Sequence, residues 1–192
     1  MFEVDILKKF RDADALLDGH FLLSSGLHSP KYLQCAKALQ EPKDAIKFGH
    51  LIAARYRDQS FAAVASPAIG GLVIGFSVAQ ALGVRFLWTE RQDGEMTLRR
   101  GFSLSAGEKI LVVEDVITTG GSTRECIAAL SANGGNVAAA ASIIDRSNGT
   151  ANVGVPRTSL ASLDVPIYRS DECPMCKQGI PVEKPGSRNI VT

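Results

Sequence analysis

The chain has 192 residues, of which 45% are hydrophobic and 21% are charged, and its formal net charge is +1. This composition is typical of a globular protein and excludes disorder across the whole chain. The small net charge predicts no global attraction to nucleic acid or to an anionic membrane, so any anion must bind at a local site. No apolar run approaches the roughly 18 residues of a membrane-spanning helix, and the N-terminus lacks a signal-peptide pattern. We therefore expect a cytoplasmic protein.

Hydrophobic periodicity predicts helices that alternate with strands. The predicted elements, in order, are an amphipathic helix over residues 3–17, a hairpin of two short strands over residues 21–34 with its turn at residues 26–30, a helix from Pro42, a strand over residues 61–65, a helix over residues 72–82, a strand over residues 84–89, a hairpin tip at Asp93 and Gly94, a strand over residues 110–113, a helix over residues 123–131, a strand over residues 137–144 and a closing strand near residues 160–163. This alternation predicts an α/β fold with a mainly parallel central sheet flanked by helices. We expect one domain over residues 1–192, with a loose tail at residues 179–192.

The strongest functional signal lies at residues 110–122. Four apolar residues predict a strand buried on both faces, and Glu114 and Asp115 follow at its carboxyl end. The next residues, which are small or hydroxylated and lead into a helix, are Thr118, Thr119, Gly120, Gly121 and Ser122. Their backbone N–H groups could surround a phosphate at the positive end of that helix. The acids suit sugar hydroxyls or a Mg²⁺ that also contacts phosphate oxygens. The alternative is a polar strand-turn-helix junction without a ligand.

Two further stretches could contribute to such a site. Residues 66–71 follow a predicted strand and end in Gly70 and Gly71, so they indicate a second anion-binding loop before a helix. Residues 90–102 form a long polar excursion between two core strands, and excursions of this length are often functional. Its cations are Arg91, Arg99 and Arg100. The alternative is a solvated hairpin whose arginines pair with Glu90 and Glu95.

Residues 112–122, Val-Val-Glu-Asp-Val-Ile-Thr-Thr-Gly-Gly-Ser, resemble the phosphoribosyl-diphosphate-binding motif of type I phosphoribosyltransferases. Residues 21–32 carry a Phe-x-Leu-x-Ser-Gly-x-x-Ser-Pro-x-Tyr pattern and resemble the N-terminal hood of orotate phosphoribosyltransferases. Residues 1–40 would then form a helix and this hood. The resemblance covers residues 21–149 and includes four motifs in family order.

The resemblance implies transfer of the 5-phosphoribosyl group from phosphoribosyl diphosphate to orotate, a step of pyrimidine (UMP) biosynthesis that gives orotidine 5′-monophosphate and pyrophosphate. It implies Mg²⁺ carried mainly by the substrate, with Asp115 as the carboxylate that could contact it. It also implies a homodimer in which loop 90–100 reaches the neighbouring site, with no nucleic acid or membrane as partner. Two alternatives stay open: a purine phosphoribosyltransferase on the same fold, and a ligand-sensing regulator that binds nucleic acid. The regulator would need a DNA-reading domain or a basic patch, and neither is visible.

The family also implies roles for individual residues. The 5-phosphate would bind residues 118–122, and the catalytic groups would be Glu114, Asp115, Arg91, Arg99 and Arg100. Pyrophosphate would bind Ala68, Ile69, Gly70 and Gly71, and orotate would bind Arg146, Ser25, Gly26 and Tyr32. The sequence departs from the family at Ser24, where many members carry a basic residue that Lys31 could replace, and at Gly70, where some carry lysine.

Three local features keep two interpretations each. Arg146 follows Asp145, and such a pair at a strand end is commonly a structural ion pair. His28 suits a surface turn or a ligand contact. Cys173 and Cys176 form one Cys-x-x-Cys pair. Zinc needs four ligands and no second pair is evident, so this pair is either a reduced turn or part of a zinc site shared across a dimer.

Overall fold

The computed structural model describes residues 5–23 and 25–185 of the chain. The elements, in chain order, are α1 (Ile6–Asp12), β1 (Leu16–Leu22), β2 (His28–Leu33), α2 (Cys35–Leu39), α3 (Pro42–Ala54), β3 (Ala63–Pro67), α4 (Leu72–Leu82), β4 (Arg85–Gln92), β5 (Glu95–Leu98), β6 (Lys109–Ile117), α5 (Gly121–Ala132), β7 (Asn136–Asp145), β8 (Arg157–Ser162) and α6 (Pro174–Lys177). They divide into two compact units, one of Ala38–Leu163 and one of Met1–Lys37 with Asp164–Thr192. Among the described helices, none is long and apolar enough to cross a membrane.

The larger unit is built on a six-stranded sheet with the order β5-β4-β3-β6-β7-β8. All neighbouring strands are parallel except β5, which returns antiparallel to β4. Helices α3, α4 and α5 pack against this sheet. The two central strands each contain a buried apolar run, as expected for strands covered on both faces, and Val64, Ile110 and Val112 are fully buried. The predicted α/β fold with a mainly parallel sheet is confirmed.

The strand β6 is longer than the sequence predicted. Its pairing with β7 continues past the apolar run, with Glu114 opposite Ser142 and Ile117 opposite Asp145. The acidic pair therefore lies inside the strand rather than after it. The partner strand causes the difference, because ladder hydrogen bonds from β7 keep polar residues extended that would otherwise begin a loop.

The predicted hairpin tip at Asp93 and Gly94 is confirmed. β4 runs on to Gln92, which pairs with Glu95 on β5. Asp93 and Gly94 have φ values of 52° and 89°. Two consecutive positive φ values are those of the tight turn that matches strand twist, and an Asp-Gly pair adopts them readily. The arginine-bearing excursion thus begins as an extension of the central sheet.

In the smaller unit the first helix is shorter than predicted. α1 ends at Asp12 and Asp14 has a positive φ of 50°, so the chain leaves the helix before Leu16. Leu16 and Leu17 instead pair with Leu33 and Tyr32 in an antiparallel hairpin. The helical spacing of the leucines was misleading because strand pairing with β2 decides their conformation. The predicted hairpin is present, but β2 already begins at His28, inside the predicted turn. Ser24 lies outside the described residues.

The C-terminal segment of the smaller unit is attached to this hairpin by backbone hydrogen bonds. Leu22 N donates to Glu183 O at 2.8 Å, and Glu183 N donates to His20 O at 2.8 Å. His28 and Tyr168 exchange a second pair of hydrogen bonds, at 2.8 and 2.9 Å. Within the expected tail, Glu183 is thus hydrogen-bonded to the hairpin, while residues 186–192 lie outside the described residues.

Candidate active site

The glycine-bearing loop between β6 and α5 forms one wall of a small pocket. Gly120 caps the N-terminus of α5 with a φ of 75°, a conformation that L side chains rarely adopt. A Cβ atom at this position would lie 2.8 Å from Val153 Cγ1, so the loop depends on glycine for its shape and for its packing. The pocket has a volume of about 80 Å³ and is lined by Glu114 and residues 116–123. The start of α5 adds the positive end of a helix dipole.

Arg124 holds the backbone of this loop and was not anticipated from the sequence. Its Nη1 atom donates to the carbonyl oxygens of Thr119 and Asn152, each at 2.8 Å. A cation in the first turn of a helix is disfavoured by the helix dipole, so it needs a compensating contact. That unfavourable position is the sequence signal that could have identified Arg124. Its role is to position the loop.

The acidic pair at the end of β6 is partly buried. Glu114 is only 7% exposed, and its Oε1 atom accepts a hydrogen bond from Asp115 N at 3.1 Å. Asp115 Oδ1 in turn accepts from Val116 N at 2.7 Å. Burial, the charge of Asp115 and a hydrogen bond with the Asp115 side chain together raise the pKa of Glu114 well above its ordinary value. Glu114 therefore releases its proton at a higher pH than an exposed glutamate does.

The second glycine loop, residues 68–71, meets the acidic pair. A Cβ atom at Gly70 would lie 3.0 Å from Asp115 Oδ1, and one at Gly71 would lie 3.1 Å from Glu114 Oε1. The peptide bond between Ala68 and Ile69 is cis. The structure thus brings together the two loops and the two acids that the sequence proposed as one site. Glycine at position 70 lets the loop backbone lie against Asp115, where a side chain would press on the carboxylate.

The three arginines of the hairpin are all paired with acids of the same chain. Arg91 donates to Gly94 O at 2.6 Å and to the carboxylate of Glu125 on α5. Arg100 contacts both oxygens of Glu90, at 2.8 and 2.9 Å, and Arg99 lies 3.5 Å from the same carboxylate. The hydrogen bond from Arg100 lowers the pKa of Glu90. Arg99 and Arg100 therefore form the ion pairs with Glu90 that the solvated-hairpin alternative predicted.

Glu95, the other predicted partner, has no ion pair among the described residues. The side chains of all three arginines are about half exposed. Ion pairs that water can reach contribute little to stability, so these arginines can exchange their carboxylate partners for a phosphate at little cost.

Asp145 forms an ion pair with Arg157 on β8. Arg157 Nη1 donates to Asp145 Oδ2 at 2.9 Å, and Ser147 donates to Asp145 Oδ1 through Oγ at 2.6 Å. Burial would raise the pKa of Asp145, but hydrogen bonds from Ser147 and Arg157 outweigh it and lower that pKa. Arg146 N donates to Ile117 O at 2.8 Å, which places this residue beside the end of β6.

The family model of the phosphoribosyl transferase domain matches residues 36–164 of the chain. An orotate phosphoribosyltransferase of Pelotomaculum thermopropionicum is 50% identical over 186 residues, which cover 97% of this chain and 98% of that protein. This chain belongs to the orotate phosphoribosyltransferase family. The Thermotoga maritima orotate phosphoribosyltransferase is 48% identical over 186 residues, again with 97% and 98% coverage. The resemblance stated from the motifs is thereby confirmed.

Solved structures support the same assignment. The orotate phosphoribosyltransferase of Aeropyrum pernix superposes with a TM-score of 0.70 and 27% identity, covering 82% of this chain and 93% of that chain. An adenine phosphoribosyltransferase of Thermoanaerobacter pseudethanolicus has a TM-score of 0.59 at 18% identity, covering 69% of this chain and 88% of that chain. The adenine enzyme shares the fold alone, so the fold by itself does not select the base.

The hood residues of the family pattern belong to the smaller unit. Ser25 and Gly26 are exposed in the turn before β2, and Gly26 has a φ of 80°. Tyr32 lies on β2 with its ring 5.8 Å from that of Phe21. Lys31 donates to Asp18, so its charge is already partnered within the hairpin. Lys31 is therefore a weak substitute for the basic residue that many members carry at position 24.

Proposed function

We propose that this protein transfers the 5-phosphoribosyl group from phosphoribosyl diphosphate to N1 of orotate, forming orotidine 5′-monophosphate and pyrophosphate in pyrimidine biosynthesis. The observation that carries the proposal is the meeting of two glycine loops at one acidic pair, in a chain that is about half identical to relatives named for this activity. One loop, residues 118–122, begins a helix and suits the 5-phosphate. The other loop, residues 68–71, suits the pyrophosphate.

In this reaction the bond between C1 of ribose and the pyrophosphate oxygen breaks, and the oxygen keeps the electron pair. Positive charge then develops on the ribose ring until N1 of orotate bonds to C1. The N1–H bond breaks in this step, and its proton passes to the departing pyrophosphate. Glu114 and Asp115 accept hydrogen bonds from the ribose hydroxyls and stabilise the ring charge. No side chain acts as a nucleophile. The protein positions the two substrates, holds the departing pyrophosphate and excludes water.

We further propose that Mg²⁺ enters mainly with the substrate. A Mg²⁺ ion on the diphosphate would supply charge neutralisation at the leaving group. Carboxylate oxygens are the ligands that Mg²⁺ prefers, and Asp115, which lies against the backbone of Gly70, is the residue that could contact it. Within residues 5–23 and 25–185, the acidic pair belongs to no group of three or more clustered metal-ligating side chains. Two carboxylates alone suit an ion that brings most of its ligands with the substrate.

A direct assay tests the reaction. The purified protein is incubated with phosphoribosyl diphosphate, Mg²⁺ and one of orotate, uracil, adenine or hypoxanthine, and pyrophosphate release is measured. We expect release with orotate alone, because uracil lacks the carboxylate and the purines differ in shape. Release with adenine or hypoxanthine and not with orotate would replace the proposal with a purine phosphoribosyltransferase.

Arg146 is our candidate for the contact with the orotate carboxylate, because a planar guanidinium group pairs well with a carboxylate. We place Ser25, Gly26 and Tyr32 over the base, as the family pattern implies. Arg146→Ala should raise the KM for orotate about tenfold or more and change the KM for phosphoribosyl diphosphate little. Equal increases in both KM values would contradict this role.

We also propose a homodimer in which loop 90–100 acts on the neighbouring site through Arg91, Arg99 and Arg100. The exposed, weakly paired state of these arginines supports a loop that can change partners. The test mixes an Asp115→Asn chain with an Arg99→Ala/Arg100→Ala chain, each inactive as a homodimer. If the loop acts across the dimer, mixed dimers regain one competent site and measurable activity. If the loop acts within its own chain, mixing restores nothing.

A further inference from the structure

Four side chains with metal-ligating atoms converge in the smaller unit, outside the candidate active site. They are His20, His28, Cys173 and Cys176, and their ligand atoms all lie within 4.8 Å of one another. We call this group the His-Cys cluster. Two members come from the hairpin of β1 and β2, and two come from the Cys-x-x-Cys pair beside α6. The interpretation of His28 as a surface turn residue is wrong, because His28 lies on β2 and is only 6% exposed.

Three sulfur-to-nitrogen distances in the cluster are close to those of a tetrahedral zinc site. Cys173 Sγ lies 3.5 Å from His20 Nε2, and Cys176 Sγ lies 3.7 Å from His20 Nε2 and 3.4 Å from His28 Nδ1. Zinc bonds of about 2.3 Å to sulfur and about 2.0 Å to nitrogen put a sulfur and a nitrogen about 3.5 Å apart at tetrahedral angles. The two nitrogens are 2.7 Å apart, so the rings must separate by roughly half an ångström around such an ion.

A hydrogen bond from Nδ1 of His20, on the side of the ring away from the cluster, orients this ring for metal binding. His20 Nδ1 lies 2.8 Å from the carbonyl oxygen of Ile180, which can only accept, so Nδ1 carries the proton. His20 Nε2 is therefore unprotonated, and its lone pair faces the cluster. Zinc-bound histidines commonly donate their other ring N–H to such a carbonyl, which fixes both tautomer and orientation.

A cation resolves a shortage of hydrogen-bond acceptors in the cluster. One lone pair on His20 Nε2 faces His28 Nδ1 and both cysteine sulfurs at distances of 2.7 to 3.7 Å. A single lone pair accepts one good hydrogen bond, and thiols are weak donors and weak acceptors. A central cation instead uses one lone pair from each of the four atoms. His20, His28 and Cys173 are buried, so the site is closed, as structural metal sites are.

The packing of the C-terminal segment shows what the ion would stabilise. Of residues 164–185, Cys173 is the one that is buried. The segment therefore contributes almost no apolar core. Backbone hydrogen bonds and the His-Cys cluster are what attach it to the hairpin. Small units with little hydrophobic core commonly depend on a metal or on disulfides. The described cysteines are free.

We propose that His20, His28, Cys173 and Cys176 bind one structural zinc ion that fixes the C-terminal segment to the N-terminal hairpin of the same chain. Two thiolates and two imidazoles in a closed four-ligand site favour zinc over magnesium or calcium, which prefer oxygen ligands. A site shared across a dimer is not required, because the two histidines complete the ligand set. The proposal does not depend on the proposed enzymatic activity.

The first test measures metal in the untagged full-length protein, purified without chelators. Elemental analysis should find about one zinc per chain. Replacement by cobalt should give the d–d absorption of a tetrahedral ion together with thiolate-to-cobalt charge transfer. A protein without metal, a Cys173–Cys176 disulfide by mass spectrometry, or iron in place of zinc would each overturn the proposal.

The second test uses variants with matched controls. Cys176→Ser and His28→Gln should lose at least nine-tenths of the zinc. Cys35→Ala and His50→Gln remove a cysteine and a histidine outside the cluster, and these variants should retain the zinc.

If a cluster variant fails to fold, chelation of the wild-type protein gives the same information. Chelation should expose residues 164–185 to proteolysis and leave 38–163 resistant, and zinc should reverse the effect. Unchanged proteolysis after complete zinc removal would reject the stabilising role.

Discussion

The loop at residues 118–122 and the His-Cys cluster are built from different parts of the chain. The loop is a contiguous run whose proposed binding groups are mainly backbone N–H groups, and its shape depends on Gly120 at the start of α5. The cluster consists of side chains, and His20 and Cys173 lie 153 positions apart in the sequence. A short motif can encode the first kind of site, because local conformation creates it. The second kind requires chain segments to meet, so no short motif reveals it.

The largest effect should follow from changing the acidic pair, where side-chain charge matters most. Asp115→Asn should lower kcat about 100-fold, because preorganised charge next to the developing ring charge is lost. The zinc content should stay unchanged, since the cluster belongs to the other unit. Steady-state kinetics and elemental analysis measure both quantities. Asp58→Asn, at an exposed position, is the control. A kcat within twofold of the wild type would remove Asp115 from the site.

Two glycine-to-alanine variants test whether the shape of the 118–122 loop depends on the backbone conformation and packing of Gly120. Gly120→Ala should destabilise the protein by roughly 2 kcal/mol and raise the KM for phosphoribosyl diphosphate, because the added Cβ combines a positive φ with a contact to Val153. Gly149→Ala introduces a Cβ at a similar φ of 79° with no atom within 4 Å, so it isolates the backbone strain. Urea unfolding compares the two variants. Equal losses of stability with unchanged KM values would show that the packing of Gly120 is unimportant.

The raised pKa of Glu114 predicts a pH dependence of stability. The folded protein retains a proton on Glu114 at pH values where the unfolded chain has lost it. This contribution to stability is fully present below the ordinary glutamate pKa and is lost as the pH rises through the raised pKa of the folded state. Glu114→Gln stays neutral and should weaken this fall in the free energy of unfolding. Urea titrations at several pH values measure it. A variant with the wild-type slope would assign the pH dependence to other groups.

The smallest effect should come from the hairpin arginines. Glu125→Gln removes the acidic partner of Arg91 and should change the free energy of unfolding by less than about 1 kcal/mol, as expected for an exposed ion pair. The released guanidinium group should lower the KM for phosphoribosyl diphosphate up to a few-fold. Glu95→Gln is the matched control, since Glu95 has no ion pair among the described residues. A higher KM in Glu125→Gln would mean that the ion pair holds Arg91 in its working position.

The differences between prediction and structure share a cause. The leucines after α1 fit a helix, but pairing with β2 placed them in a strand. The residues that follow the apolar run of β6 suited a loop, but pairing with β7 kept them extended. The ion pair of Asp145 likewise comes from a partner strand, because Arg157 lies on β8. In each case a partner strand decided the outcome, and the local sequence does not contain the partner.

The sequence by itself determined the parallel α/β fold, the two glycine loops and the family, because periodicity and contiguous motifs act over a few neighbouring residues. Only the tertiary structure decided the raised pKa of Glu114, the support of the loop by Arg124 and the convergence of His20 and His28 with Cys173 and Cys176. Burial raises a carboxyl pKa, and chain folding brings distant ligands within reach. Both depend on which segments meet in space, and residue order along the chain does not specify that directly.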